Sequence, residues 1–381
     1  MGVKVRERPG KGWYVLTDWK GQRKAKCFGR NKALAKEFAS KLEAKLKLGS
    51  AGITSKAGVK FEDYAERWLE RIQHTRKHST YEDYAKIVER DLKPALKSLD
   101  LEDITREKVK AVAFAGLKKG QSAKTVLNVV RCLSCFLSHA VEDGLISVNP
   151  ALKPGKFLPR ISKRKDINPW TRDEVTTFLT TVKTHAPRYY PLFLCALRTG
   201  LRQGELIALQ WGDLDFRGRF ILVQRNYSRG RIVTPKNGES RRVDMSLKLS
   251  HTLKDFHMER QLEAAANGWP EVSEWVFCSS TGGLLDPDNL RKQVFKSLLK
   301  KAELRRVRFH DLRHTFASLL LQQGESPVYV KEQMGHSSIQ VTVDLYGHLI
   351  PGGNKQAVDR LDQQPEQTVF QAESATQPQP A

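Results

Sequence analysis

Two stretches of the 381-residue chain hold side chains that could grip and attack an anion. The earlier is Thr199-Gly-Leu-Arg-Gln-Gly-Glu205, which carries Arg202. The later runs from Val307 to Leu349. It contains His310-Asp-Leu-Arg-His-Thr-Phe-Ala317, Leu320-Leu-Gln-Gln-Gly324, Gln333-Met-Gly-His-Ser337 and Thr342-Val-Asp-Leu-Tyr-Gly-His348. His310 and Arg313 are three apart and share one face of a helix. His310 opens that helix, where free backbone N–H groups favour an anion. The glycines around Arg202 allow close backbone approach and place the arginine at a helix start. Two guanidinium forks can hold both non-bridging oxygens of one phosphodiester and stabilise added charge in a transition state. Tyr346 offers a phenol as the attacking group. With the two arginines on the phosphate, magnesium would be unnecessary, and a tyrosyl phosphodiester conserves the energy of the broken bond, so rejoining needs no ATP.

Other chemistries lack their residues. There is no G-x-x-x-x-G-K-[ST] phosphate loop, no carboxylate cluster at two-metal spacing and no G-x-S-x-G elbow. No cofactor or metal is therefore expected. A metal site built from His310, His314, His336 and His348 would set a cation beside both arginines, an unfavourable arrangement. Plainer roles also stand beside the chemical ones. Arg202 could merely cap its helix, and His314 reads as structural, packing or hydrogen-bonding behind the site. Tyr329, in Ser326-Pro-Val-Tyr-Val330, reads as core rather than as a second nucleophile. His348 is left unassigned.

Three regions must position these groups. Net charge is +23 with a pI near 9.8, which points to a polyanion, either nucleic acid or an acidic membrane surface. The excess is uneven: residues 1–60 carry 16 Lys+Arg against 4 Asp+Glu, whereas the tail from Pro351 carries 2 against 4. Strands are expected near Val3–Arg6, Gly12–Asp18 and Arg23–Phe28, with a turn at Trp19-Lys-Gly21. A helix from about Lys32 to Leu48 follows, with Leu34, Phe38, Leu42 and Leu46 on one face. Basic residues interleave with Trp13, Tyr14 and Trp19. That decoration reads either as a sheet for a DNA groove or as a solvated basic face over packed aromatics.

After a small polar linker (Gly49 to Lys60), residues 60–150 read as a domain of about four helices. Phe61, Tyr64, Ala65, Trp68 and Leu69 line one helical face, and Ser79 with Glu82 reads as a capping box. Cys132-Leu-Ser-Cys135 falls in an apolar helical run. It reads as two core residues, since no second pair stands at zinc spacing, and the five cysteines form no disulfide framework. A second linker, Pro154 to Pro169, is basic and aperiodic, either a DNA tether or an ordinary solvated segment. The last region, Trp170 to His348, opens on a capping box at Thr171-Arg-Asp-Glu174. Helices are expected at Tyr189–Arg198 and Gln203–Gln210, strands at Phe220–Gln224, Arg231–Thr234 and Arg241–Asp244, and long helices at Leu247–Ala266 and Asn289–Ala302. Turns are expected at Ser228-Arg-Gly230 and Lys236-Asn-Gly238. The Gln- and Pro-rich end from Pro351 reads as a loose tail with one short helix near Gln356–Leu361. The fold class expected is α+β multidomain: a three-stranded sheet plus helix (1–50), an all-helical domain (60–150), a mainly helical domain with a small antiparallel sheet (165–350) and a tail (351–381). No apolar run reaches the ~18 residues of a membrane span, and the N-terminus lacks the apolar core of a signal peptide, so a cytoplasmic chain without membrane contact is expected.

The boxes Gly200-Leu-Arg-Gln-Gly-Glu-Leu206, His310 to Ala317, Leu320 to Gly324, Met334-Gly-His336 and Thr342 to His348 resemble those of tyrosine recombinases, the phage-integrase family. They match in order and separation over about 150 residues. Residues 60–150 resemble the family's core-site-binding domain, and residues 1–50 more loosely its three-stranded arm-binding domain. The resemblance implies that Arg202 and Arg313 clamp the scissile phosphate. His310 would help deprotonate the tyrosine and return the proton. His336 would hydrogen-bond the phosphate, and Glu205 would support Arg202. Lys236, in Thr234-Pro-Lys-Asn-Gly238, would protonate the leaving 5′-oxygen, with Lys248 and Arg229 as the nearby alternatives. Tyr346 would be the nucleophile. The activity so implied is site-specific cleavage and rejoining of double-stranded DNA through a 3′-phosphotyrosyl bond. It would run on four protomers through a Holliday junction, for a prophage or other integrative element. The partners implied are core and arm DNA sites, a homotetramer, and a directionality factor or host DNA-bending protein. Rival readings are a Xer-like or transposon-resolving recombinase, a type IB topoisomerase-like nicking enzyme, and a DNA-binding regulator without catalysis. The basic N-terminal module argues against the first two, and the complete residue set against the last.

Overall fold

The computed structural model describes residues 2–8, 12–19, 22–29, 31–50, 58–153, 157–159, 167–235, 238–347 and 358–359. The chain divides into two compact units, residues 1–161 and 162–381. The turn at Lys20 and Gly21, the linker cores, Lys236, His348 and nearly all of the tail lie outside the described residues.

The first unit opens on an antiparallel sheet of β1 (Gly2–Arg8), β2 (Gly12–Trp19) and β3 (Gln22–Cys27), followed by α1 (Lys32–Ser50). Val5 pairs with Val15 and Val15 with Lys26, so alternate residues of β2 face the helix. The expected apolar face of α1 is one residue off. Leu34 is 50% exposed, and Ala35 and Ala39 are buried against Val15 with Phe38 half-buried beside them. Two alanines let the helix lie close to the strand, and Leu34 turns outward. Trp13 is covered by the Lys32 ammonium, 4.6 Å from its ring centroid.

The helical part holds α2 (Phe61–Thr75), α3 (His78–Ile87), a π turn (Val88–Leu92), α4 (Lys93–Leu96), α5 (Arg106–Lys118) and α6 (Ala123–Glu142). Phe61, Tyr64, Ala65, Trp68 and Ile72 bury the inner face of α2 against Phe136 and Leu137 of α6. Trp68 Nε1 donates to His139 Nδ1 at 2.8 Å, which satisfies an otherwise stranded buried donor. Ser79 is not the cap expected of it. The helix starts one residue earlier, where His78 and Glu82 pair at 3.0 Å across one turn. The helical run also passes Asp91 through the π turn to Leu96.

The second unit begins with α7 (Arg172–His185). Its Thr171 cap is reciprocal: Thr171 Oγ1 accepts from Glu174 N at 3.1 Å and Glu174 Oε2 from Thr171 N at 2.8 Å. Then come α8 (Tyr190–Thr199) and α9 (Gln203–Ile207), and strands β4 (Leu214–Asp215), β5 (Phe220–Val223), β6 (Asn226–Ser228), β7 (Arg231–Val233) and β8 (Arg241–Asp244). β4, β5 and β8 form one antiparallel sheet, while β6 and β7 form a separate hairpin. α9 is shorter than expected because Leu209 O accepts from Val276 N and Gln210 bridges to Trp275, so tertiary pairing takes the residues that would have extended it. Helices α10 (Leu247–Ala266), α11 (Pro287–Asn289) with a π turn (Leu290–Phe295), α12 (Lys296–Lys301), α13 (Asp311–Gln322), α14 (Pro327–Met334) and α15 (Ile339–Tyr346) complete it. The main core gathers Trp170, Phe178, Phe193, Phe295 and Phe309 with the apolar faces of α7, α8 and α10. A smaller core joins α13, α14 and α15 around Phe316, Leu321, Val330, Met334 and Tyr346.

Candidate active site

Box by box, backbone geometry explains where each polar side chain emerges. Helix α8 ends at Gly200, whose φ of 62° lies in the left-handed region that glycine adopts without cost. A Cβ there would stand 2.5 Å from the Phe316 ring, so only glycine lets the turn close on α13. That turn delivers Arg202 to the N-cap of α9 with extended backbone. Glu205, in the first turn, accepts from Arg202 N at 2.9 Å and from Arg202 Nη1 at 2.8 Å. Arg202 Nη2 reaches Gly335 O at 3.3 Å. Gly335 ends α14 at φ 58°, with Arg241 packed where its Cβ would be.

Arg313 lies in the first turn of α13 and is 3% exposed. Its Nη1 donates to Gly200 O at 2.5 Å and its Nη2 to Met334 O. The two arginines thus tie both glycine corners together and converge from segments more than a hundred residues apart. Burial, followed by the neighbouring Arg202 charge, lowers the Arg313 pKa to about 9, which leaves the guanidinium charged at neutral pH.

Sequence periodicity gave no role to Arg241. The strand alternation of β8 carries the signal in retrospect, because Arg241 falls on the same face as buried Val243. Arg241 grips Glu205 with both terminal nitrogens, at 3.0 and 2.8 Å, and its Nε donates to Gln333 O at 3.0 Å. Burial alone would raise the Glu205 pKa. The hydrogen bond and charge of Arg241, joined by Arg202, outweigh it and hold the carboxyl at about 2.

The histidines are arranged as neutral imidazoles. His310 caps α13, with its ring edge-on to His314 at 5.1 Å between centroids. Although much of its surface is open to solvent, the enclosed part of the ring and then the charges of His314, Arg313 and Arg202 lower its pKa to about 4. His336 follows Gly335. Its Nδ1 meets Thr342 Oγ1 at 2.9 Å, and burial, Arg313 and Arg202 lower its pKa to about 3. Tyr346 is the last residue of α15 and is fully buried. Burial raises its pKa, against the opposing charge of Arg313. Its hydroxyl meets the Nδ1 of His314 at 2.6 Å. Among the described residues no hydrogen bond joins His310 to Tyr346. The direct partner of the phenol is a histidine read from sequence as structural.

Arg202, Arg241 and His336 line one open cleft of about 560 Å³ together with Pro235, Glu239 and Ser240. Lys236 itself lies outside the described residues. Tyr329 is half-buried rather than core, and its hydroxyl donates to Asp244 Oδ2 at 2.8 Å. Among the described residues no group of three or more His, Cys, Asp or Glu side chains is arranged to hold a metal, and no helix is long and apolar enough to cross a membrane.

Comparisons with known proteins extend these observations. The model of the phage integrase family matches residues 170–351, and that of the phage integrase N-terminal SAM-like domain matches residues 60–112. A tyrosine recombinase XerC-like protein of Caldanaerobacter subterraneus subsp. tengcongensis is 29% identical, over 93% of this chain and 96% of its own. The ICEBs1 integrase of Bacillus subtilis is 29% identical, over 87% of this chain and 90% of its own. Among solved structures, the Tn1549 transposon integrase in complex with a circular intermediate DNA aligns with a TM-score of 0.63 at 23% identity, covering 78% of this chain and 98% of that one. A lambda integrase tetramer bound to a Holliday junction aligns at 0.59 with 19% identity, covering 88% and 95%. These likenesses establish the α+β fold with its small antiparallel sheets.

Proposed function

The chain belongs to the phage integrase family of tyrosine recombinases, and from that premise we propose that it is the integrase of a prophage or other integrative element, with Tyr346 as its nucleophile. One observation carries the reading of the site. Two guanidiniums from distant segments are locked onto two glycine corners, Arg202 onto Gly335 O and Arg313 onto Gly200 O, with the buried Tyr346 hydroxyl within the field of Arg313. Arg202 and Arg313 hold the non-bridging oxygens of a DNA phosphate and stabilise the charge of the transition state. Tyr346 attacks phosphorus, giving a 3′-phosphotyrosyl bond and a free 5′-hydroxyl. Lys236 protonates the leaving oxygen, His310 and His336 assist at the phosphate, and no metal is used. The lambda integrase relative was solved as a tetramer on a Holliday junction, and the same four-protomer assembly is proposed for this chain. Residues 60–150 bind the core site, and the basic residues 1–50 bind separate arm sites, so that two-point attachment raises the effective concentration. A directionality factor or host DNA-bending protein joins the complex.

The XerC-like relative matches nearly the full chain, which favours a Xer-type resolution reaction as the second reading. The chemistry is tested with duplexes selected from a random pool by the full chain and then nicked near the crossover. A covalent protein–DNA adduct formed by the native chain and lost in Tyr346→Phe is expected. Failure of the native chain to form one overturns the reading.

A further inference from the structure

We propose that His314 is a catalytic residue of the strand-transfer reaction: its Nδ1 takes the proton of Tyr346 during cleavage and returns it during ligation. The inference rests on Tyr346 being the nucleophile. It assigns a proton acceptor that the motif reading placed at His310 instead.

Three features of the geometry carry it. The Nδ1 of His314 lies 2.6 Å from the phenol oxygen, within the range of direct proton transfer, and it is the sole acid–base side chain in hydrogen-bond contact with that oxygen among the described residues. Tyr346 is 0% exposed, so bulk water does not reach the hydroxyl and its proton needs an internal acceptor. His314 also sits one residue after the buried Arg313, so the acceptor and the phosphate clamp are fixed to the same helical turn.

The charges around the ring suit the role. On its own helix His314 faces His310, Asp311 and Arg313. Arg308 precedes that helix, Tyr346 arrives from α15, and His336 approaches from the turn before it. Burial and the two arginines lower the His314 pKa, and the Asp311 carboxylate opposes them. The imidazole is therefore neutral at neutral pH, and Nδ1 is free to accept when Nε2 carries the hydrogen. During cleavage the Tyr346 O–H bond breaks as Nδ1–H forms. The phenol oxygen bonds to phosphorus as the bond to the 5′-oxygen breaks, and that oxygen takes its proton from the general acid assigned above. Ligation reverses each transfer. The phosphate brings negative charge that stabilises the imidazolium at the moment it forms.

The test uses the full chain, a selected and nicked duplex, and a matched duplex whose leaving oxygen is replaced by sulfur. Sulfur leaves without a proton, so it rescues loss of a general acid but not loss of a base. His314→Asn keeps a polar group near the phenol and cannot take its proton. Its adduct formation is expected to fall by ~100-fold or more, with DNA affinity and melting temperature unchanged, and the sulfur leaving group is expected not to restore it. A native rate in His314→Asn, or full rescue by sulfur, overturns the assignment. If His314→Asn fails to fold, His314→Gln is read the same way. Absence of any adduct with the native chain instead defeats the function on which this inference rests.

Discussion

Replacing Glu205 by Gln should expose how strongly one carboxylate holds the site together. Glu205 is 2% exposed and accepts four hydrogen bonds, two from Arg202 and two from Arg241, at 2.8 to 3.0 Å. Its pKa falls from 4.5 to about 2 despite burial. At ~1.36 kcal/mol per pH unit, that fall corresponds to about 3 kcal/mol of folded-state stability. Because the folded pKa is depressed, the contribution is complete above pH ~4.5 and shrinks as the pH drops from there toward about 2. Glu205→Gln keeps the shape but removes the counter-charge, leaving Arg241, Arg202 and buried Arg313 facing one another. Breaking such a buried pair costs about 3–5 kcal/mol. Urea denaturation of the native chain and the variant at pH 7, 5 and 3 measures both effects. The variant should be less stable at pH 7 by several kcal/mol, and the gap should narrow as the pH falls to 3, because the native carboxylate weakens there and the amide does not titrate. Parallel stability profiles for the two proteins would refute the reasoning.

Gly200→Ala forces a Cβ into the Phe316 ring at a positive φ, so a loss of about 1–3 kcal/mol is expected in the urea midpoint of the second unit. Thr171→Ala removes half of a reciprocal cap and should cost about 1 kcal/mol without altering adduct formation on a nicked duplex. Deleting residues 1–50 removes much of the basic excess. Affinity for full attachment DNA should then fall, and the plot of log affinity against log salt should flatten, whereas recombination at undiminished efficiency would refute arm binding.

How far the sequence could be read depended on whether a residue's role was local. Thr171 and Glu174 cap their helix because both partners lie within one turn, and the face of α2 follows from spacing alone. Ser79 has the same local pattern but loses its role to a helix start one residue earlier. The end of α9 depends on strand-like pairing with Trp275 and Val276, which no local pattern encodes. The site divides the same way. Arg202, Arg313 and Tyr346 stand in recognisable boxes. Arg241 works by contacting Glu205 and Gln333, partners 36 and 92 residues away, and so carries no motif of its own. His314 looked structural because it sits on a helix behind Arg313. Only the arrival of α15 turns that position into contact with the phenol.

The charge balance links binding to activation. Three guanidiniums, those of Arg202, Arg241 and Arg313, surround the single carboxylate of Glu205, so this group holds an excess of two positive charges, and Arg313 carries its share while almost fully buried. That excess is costly until an anion with two free oxygens enters beside it. Burial first, and then neighbouring charges that include Arg202 and Arg313, keep His310 and His336 neutral, with pKa values of about 4 and 3. A neutral imidazole has a lone pair free to accept a proton, but it is a weak base while its conjugate acid is disfavoured. A phosphodiester would add one negative charge beside these rings, offset the surplus cations and raise the basicity of every imidazole nearby. Substrate binding would therefore strengthen the bases that the attack requires, while a site empty of phosphate keeps its tyrosine protonated and covered. Under the proposed function, such coupling would restrain cleavage until a strand is correctly seated, as a reaction that must break and rejoin DNA without releasing it requires.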